Sequence, residues 1–193
     1  MHRLFYIIGK SASGKDSLYS RLLAEMPLKP FVTCTTRPMR ENEENGREYF
    51  FVSMEDLDSM REDGRVIEER CYHTQKGDWC YFTTDMHLDL EHYDYLGIGT
   101  LESYEKIKAF FEADAVTPLY IEVDDRVRLL RAIDREAQQE KPDYAELCRR
   151  FLADAGDFSE ENLARAGIGR RFVNDDFDRC KQELCAYIKE QLS

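Results

Sequence analysis

Leu4-Phe5-Tyr6-Ile7-Ile8-Gly9-Lys10-Ser11-Ala12-Ser13-Gly14-Lys15 is the stretch on which the fold turns. Five apolar residues in a row, without alternation, predict a strand covered on both faces, the pattern of a central parallel strand. Small and polar residues follow from Gly9 to Gly14, and a helical pattern then runs to about Met26, stopped by Pro27 and Pro30. A strand, a glycine turn and a helix in that order predict an anion site. The turn wraps inward, so that its N–H groups and the helix N-terminus converge on phosphate oxygens. Gly9, Lys10, Ser11, Ala12, Ser13 and Gly14 form the predicted cradle. Lys15 would bring its ammonium to the β- and γ-phosphates, and Ser17 a hydroxyl to the α-phosphate. The plainer reading is an ordinary Gly/Ser turn before a helix. Asp16 stands where such loops use Ser or Thr to ligate Mg²⁺. Its carboxylate is a candidate Mg²⁺ ligand, or else a first-turn acid facing the helix dipole.

The whole chain has 193 residues, enough to bury a sizeable core as one unit. With 27 Lys and Arg against 39 Asp and Glu, its net charge is −12. An acidic body repels polyanions, which argues against a general nucleic-acid binder or a binder of anionic membranes. Any phosphate ligand must therefore meet a locally basic cleft. No apolar run approaches the roughly 18–20 residues that span a bilayer. The first residues carry too short an apolar stretch for a secretory signal, so a cytoplasmic protein is expected. The six cysteines form no CxxC pair, and reduced thiols are expected. Cys71, His73 and Cys80 lie close together, but in no standard zinc spacing.

Strands are predicted at 31–33, Tyr95–Gly99, 119–123 and Arg171–Val173, with an extended piece at 48–53. Helices are predicted directly after the strand Tyr95–Gly99, at 126–139 and 144–155, parted by Lys141-Pro142-Asp143, and at 176–191. The last carries Phe177, Cys180, Leu184, Tyr187 and Ile188 on one side. Alternating strands and helices predict an α/β fold, a mostly parallel central sheet flanked by helices, with ligands beyond the carboxyl ends of the strands. One domain, 1–193, is expected: a core of 1–33, 94–124 and 156–193, an acceptor-binding insertion at 34–93 and a helical lid at 125–155.

Thr33-Cys34-Thr35-Thr36-Arg37-Pro38-Met39-Arg40 is followed by Glu43, Gly46, Tyr49 and Phe51-Val52-Ser53. Together with the glycine loop, this block resembles the guanylate kinases, P-loop kinases that move phosphate from ATP to GMP. The similarity runs from Tyr6 to about Leu184 and is weakest over 70–100. The residues agree with it on their own terms. Arg37 and Arg40 offer two guanidinium forks around a proline, suited to one phosphate, with hydroxyls from Tyr49 and Thr33 beside them. A solvated Arg/Glu-rich loop is the plainer reading, given Glu41, Glu43 and Glu44. The resemblance further implies Glu68 for guanine N1–H and the 2-amino group, and Thr83 near O6. It implies Arg131 and Arg135 as lid arginines, Arg150 from the following helix, and Asn174 beside adenine. Arg128, Arg131 and Arg135 share one helical face, where cations can neutralise a transferring phosphoryl group. ATP and GMP as partners, and Mg²⁺ with ATP, complete the implication.

Gly97 and Gly99 stand where guanylate kinases carry two aspartates, and the segment 72–81 with Trp79 departs from the family's text. Glycine there lets a ligand or backbone come close to the strand. Two further readings stay open: a kinase of the same scaffold for another phosphorylated acceptor such as ribose bisphosphate, and a non-catalytic guanylate-kinase-like binding module. Lys15 and the lid arginines speak against the second.

Overall fold

In the computed structural model, which describes residues 2–74, 77–111 and 113–193, β1 (Leu4–Ile8) is wholly buried. It lies in the middle of a five-stranded sheet. β7 (Tyr95–Gly99) and then β2 (Lys29–Pro30) flank one side; β8 (Val116–Glu122) and then β9 (Arg171–Val173) flank the other, all parallel. The unbroken apolar run follows from that position, because both faces meet a core. Leu4, Tyr6 and Ile8 pack with Tyr104 and Ile107 of α3 (Leu101–Phe110) and Leu163 of α6 (Glu160–Arg165). Phe5 and Ile7 pack with Leu18 and Leu22 of α1 (Lys15–Glu25) and Cys180, Leu184 and Ile188 of α7 (Phe177–Leu192). Burying each such side chain contributes roughly 1.5–3 kcal/mol.

The strand predicted at 31–33 is not formed. Instead β2 ends at Pro30 and β3 (Cys34–Thr35) belongs to a second sheet. The Phe31 N–H still donates to Leu96 O at 2.8 Å, and its ring enters the first core, so the chain is changing sheets over this stretch. The strand predicted from 119 begins earlier, at Val116. β9 pairs only with Tyr120 to Glu122, so at Pro118 one side of the strand has no neighbour that needs a donor. Two helices were not anticipated, α2 (Met54–Glu62) and α6. The first is started by a capping box between Ser53 and Asp56, the second by Ser159.

The second sheet has the order β4 (Phe50–Phe51), β3, β6 (Gly77–Thr84), β5 (Val66–Thr74), and its small core joins Cys34, Cys80 and Phe82 to Leu57 of α2. β5 and β6 are antiparallel, opposing Glu68 to Thr83, Arg70 to Tyr81 and Cys71 to Cys80. The last pair is a disulfide, which corrects the expectation of reduced thiols throughout. Directly opposed residues of an antiparallel ladder put their side chains on one face, so the two sulfurs meet once the hairpin forms. Cys34, Cys148, Cys180 and Cys185 remain free, and burial pushes the Cys180 thiol up to about 12.

α4 (Asp125–Ala137) and α5 (Tyr144–Asp157) follow β8, capped by the Asp124 and Asp143 carboxylates. Glu136, buried near the end of α4, accepts the Asp143 N–H at 2.7 Å and fixes the turn between them. Among the described residues, no helix is long and apolar enough to cross a membrane.

Candidate active site

The residues that follow β1, β7, β8 and β9 all emerge at one end of the parallel sheet, and the glycine loop leads from β1 into α1 there. A Cβ at Gly9 would lie 2.6 Å from the Ile121 carbonyl oxygen, so only glycine lets the loop pass this close to β8. Ala12 and Gly14 turn the chain in the left-handed region, with φ of 60° and 87°. The Ser13 N–H donates to Lys10 O at 3.3 Å, and Lys15 Nζ donates to the same carbonyl at 3.1 Å. The ammonium thus lies across the loop. Burial pushes it below the usual lysine range, while Asp16 and Asp154 pull the other way. Asn174, at the end of β9, is buried and donates Nδ2–H to Ser13 O at 2.8 Å, bracing the loop from behind. Asp16 and Ser17 are exposed on the first turn of α1. Lys10 Nζ lies 3.5 Å from Asp125.

The helical face expected to carry three arginines gives them separate tasks. Arg128 is 1 % exposed. Its Nη1 donates to Ser11 O at 3.1 Å and to Asp154 Oδ2 at 2.8 Å; Nε and Nη2 donate to Asp125 at 3.2 and 3.0 Å. Asp154 Oδ2 also accepts the Ser11 N–H at 2.8 Å, so Arg128 and Asp154 hold Ser11 by its carbonyl and its amide. The Phe151 ring lies under the guanidinium at 4.2 Å. Burial raises the Asp125 carboxyl, but Arg128 and Lys10 outweigh it and hold the group below its ordinary value. Arg131 Nη2 donates to Asn174 O at 3.1 Å. Arg135 and Arg150 line a crevice with Ser11, and Arg150 pairs with Glu146 at 3.4 Å.

Across from the loop, a cavity of about 320 Å³ is lined by Tyr6, Thr33, Tyr49, Glu68, Arg70, Tyr72, Tyr81, Ile98 and Gly99. Glu68 is buried; its Oε1 accepts from Thr83 Oγ1 at 3.0 Å and its Oε2 lies 3.4 Å from Arg70 Nε. Arg70 and Tyr72 also line a larger cleft of about 620 Å³ with Ser11, Arg149, Arg150 and Asp154, so the cavity opens towards the glycine loop and the helical segment. Thr33, Tyr49 and Glu68 are therefore brought together on one cavity, with Thr83 behind Glu68 as its donor. Arg37 stands apart from that wall. It is buried and forms a two-pronged pair with Glu43, at 2.9 and 2.7 Å, whose carboxyl it holds below the usual range. The rings of Tyr49 and Phe51 lie 5.7 and 5.5 Å from its guanidinium. Arg40 is exposed, and its backbone N–H donates to the same Glu43 at 2.8 Å.

Reading the sequence did not single out Tyr6, Arg70, Tyr72, Tyr81 or Asp154. Positions 68, 70 and 72 recur with the period of a strand face, and Asp154 follows Arg150 at helical spacing; both signals were there to be used.

A glycine loop between a buried parallel strand and a helix, with cationic helices beside it and a carboxylate-bearing cavity opening onto the same cleft, defines a P-loop phosphotransferase. A sequence model of the guanylate kinase family matches residues 1–82. The guanylate kinase of Koribacter versatilis is 40% identical over 198 residues, covering 96% of this chain and 77% of that protein. The guanylate kinase of Rubrobacter xylanophilus is 27% identical over 188 residues, covering 97% and 93%. The crystal structure of guanylate kinase from Anaplasma phagocytophilum shares the fold with a TM-score of 0.63 at 19% identity, over 100% of this chain and 87% of that one. The chain belongs to the guanylate kinase family.

Proposed function

We infer that the protein transfers the γ-phosphoryl group of ATP to GMP, giving ADP and GDP. The observation that carries this reading is the buried Glu68 carboxylate, held by Thr83, in a cavity contiguous with the cleft at the glycine loop. A carboxylate matches the N1–H and 2-amino edge of guanine. A wrong base would leave it unpaired, which costs about four orders of magnitude in discrimination.

Residues 34–93 form the acceptor-binding part, 125–155 the lid and the rest the core. Thr33, Arg37, Arg40 and Tyr49 grip the GMP phosphate, with Arg37 exchanging Glu43 for phosphate oxygens, and Glu68 and Thr83 read the base. Loop amides and Lys15 hold the β- and γ-phosphates, Asn174 steadies the loop, and Arg131, Arg135 and Arg150 neutralise the oxygens of the transferring group. A GMP phosphate oxygen bonds to the γ-phosphorus as the bond to the β–γ bridging oxygen breaks, and the electron pair leaves with ADP. No enzyme-bound intermediate is needed. The Asp16 carboxylate is exposed beside Lys15 and receives no hydrogen bond among the described residues, so it suits a hard divalent cation. Mg²⁺ bound there would supply charge neutralisation at the ATP phosphates. Nucleotide substrates put the reaction in the cytoplasm.

The test is ADP release by purified protein with Mg·ATP and GMP, against AMP, CMP, UMP, ribose bisphosphate and no acceptor. Turnover well above the blank with GMP alone is the expected result. A flat GMP trace with turnover on another acceptor transfers the reading to that acceptor. Asp16→Asn should raise the Mg²⁺ concentration for half-maximal turnover severalfold; an unchanged Mg²⁺ dependence removes Asp16 from the metal site.

A further inference from the structure

Tyr6 pairs in register with Gly97 on the neighbouring parallel strand, and its ring lies across β7 in a slot that two glycines keep open. A Cβ at Gly97 would fall 2.5 and 2.7 Å from Tyr6 Cδ2 and Cε2. One at Gly99 would fall 2.9 Å from Tyr6 Cζ and 2.6 Å from Ser103 Oγ. Phe31 and Tyr104, each with its ring centroid 6.4 Å away, hold the ring from the sides. The hydroxyl ends 3.1 Å from Ser103 Oγ.

The direction of that hydrogen bond follows from the neighbours of Ser103. Its single proton goes to Thr100 O at 2.9 Å and so is not available to Tyr6, while its oxygen lies within reach of the Thr100 N–H at 3.0 Å and the Thr100 hydroxyl at 3.2 Å. Tyr6 is then the donor of the pair, and the lone pairs on its own oxygen are left for the cavity that Tyr6 lines. Burial pushes the phenol up to about 12, so it stays a neutral hydroxyl at neutral pH. The charged groups acting on it are Glu68 and Arg70, whereas Arg37, Glu43 and Arg40 act on Tyr49. Tyr6, Glu68 and Tyr49 line one cavity, and with the acceptor phosphate at Tyr49 the base falls to Tyr6 and Glu68.

We propose that Tyr6 is a specificity-determining residue of the acceptor site, its hydroxyl oxygen accepting a hydrogen bond from the 2-amino group of a 2-amino-6-oxopurine while Glu68 takes the adjoining N–H edge. This rests on the assignment of GMP as acceptor. A 2-amino group has two protons; a carboxylate engaged with N1–H takes one, and the other needs a second acceptor. Tyr6 supplies it, and Gly97 and Gly99 are required because any side chain there would displace the ring.

The test is calorimetric binding of GMP and of IMP, which lacks the 2-amino group, to the full chain and to Tyr6→Phe. The variant keeps the ring and loses only the oxygen, and its melting temperature, read alongside, should stay close to that of the original. GMP affinity should fall about fivefold to tenfold, the loss of one neutral hydrogen bond, and IMP affinity should change less than about twofold. Equal weakening of both nucleotides, or of neither, overturns the proposal. If the original protein binds no GMP, the acceptor assignment falls and this proposal with it. If it binds GMP and Tyr6→Phe binds each nucleotide as tightly as the original protein does, only the role of Tyr6 falls. Ser103→Ala reads the same point should Tyr6→Phe melt early. It removes the proton acceptor that orients the hydroxyl and should narrow the preference for GMP over IMP; an unchanged preference overturns the proposal.

Discussion

Lys15→Ala should lower turnover with ATP and GMP by about a thousandfold while the protein melts within a few degrees of the original. Among the described residues the ammonium makes one hydrogen bond, to Lys10 O, and it sits where burial already disfavours its charge. Removing it therefore relieves a desolvation cost and loses a weak contact, two effects on stability of opposite sign. Catalysis has no such offset. In the proposed reading Lys15 is a fixed cation facing the β- and γ-phosphates, and losing one preorganised group of this kind costs roughly two to three orders of magnitude. Steady-state kinetics with a melting curve on the same preparation check it. GMP affinity should be retained, because the acceptor cavity does not include Lys15. A loss of less than tenfold would mean that the loop amides and lid arginines carry the phosphates without it.

β1 and the glycine loop were legible because their signal is local. An unbroken apolar run means two covered faces, and the turn that follows has few alternatives. The two-pronged pair of Arg37 with Glu43 was not legible, since periodicity assigns no partner inside an irregular loop. The β5–β6 hairpin was missed for a different reason. Its strands carry Glu68, Glu69, Arg70, His73 and Asp78, so neither shows the apolar alternation by which strands are found, and the Cys71–Cys80 bond went with it. The cost was specific to the site, because that hairpin supplies Arg70, Tyr72 and Tyr81 to the proposed acceptor cavity. Gly97 and Gly99 were seen as an opening in β7, yet Tyr6, counted as one of five core residues, is what fills it. Spacing on a helix told which arginines share a face but not what each one meets, and Arg128 shows how far these can differ.

Arg128→Met should destabilise the fold more than Lys15→Ala, Asp16→Asn or Tyr6→Phe, by about 3 kcal/mol, or roughly 6–12 °C in melting temperature for a chain of this size. The guanidinium is almost wholly buried and joins three elements: Asp125 at the start of α4, Asp154 on α5 and the Ser11 carbonyl in the glycine loop. Methionine fills much of the volume but pairs with nothing. Asp154, only 14 % exposed, then keeps the Ser11 N–H and loses its counter-charge, and that uncompensated carboxylate is the main cost. Turnover should fall as well, because Ser11 belongs to the proposed phosphate cradle and would be held by its amide alone. A double-mutant cycle separates the causes. In Arg128→Met with Asp154→Leu the buried charge is gone from both sides, so stability should return by about half or more of the single-mutant loss, while activity should not, since both grips on Ser11 are then absent. A double variant no more stable than Arg128→Met would place the cost in Asp125 or in packing against Phe151 instead. Recovery of stability without recovery of activity is the outcome that ties this buried ion pair to the shape of the phosphate loop.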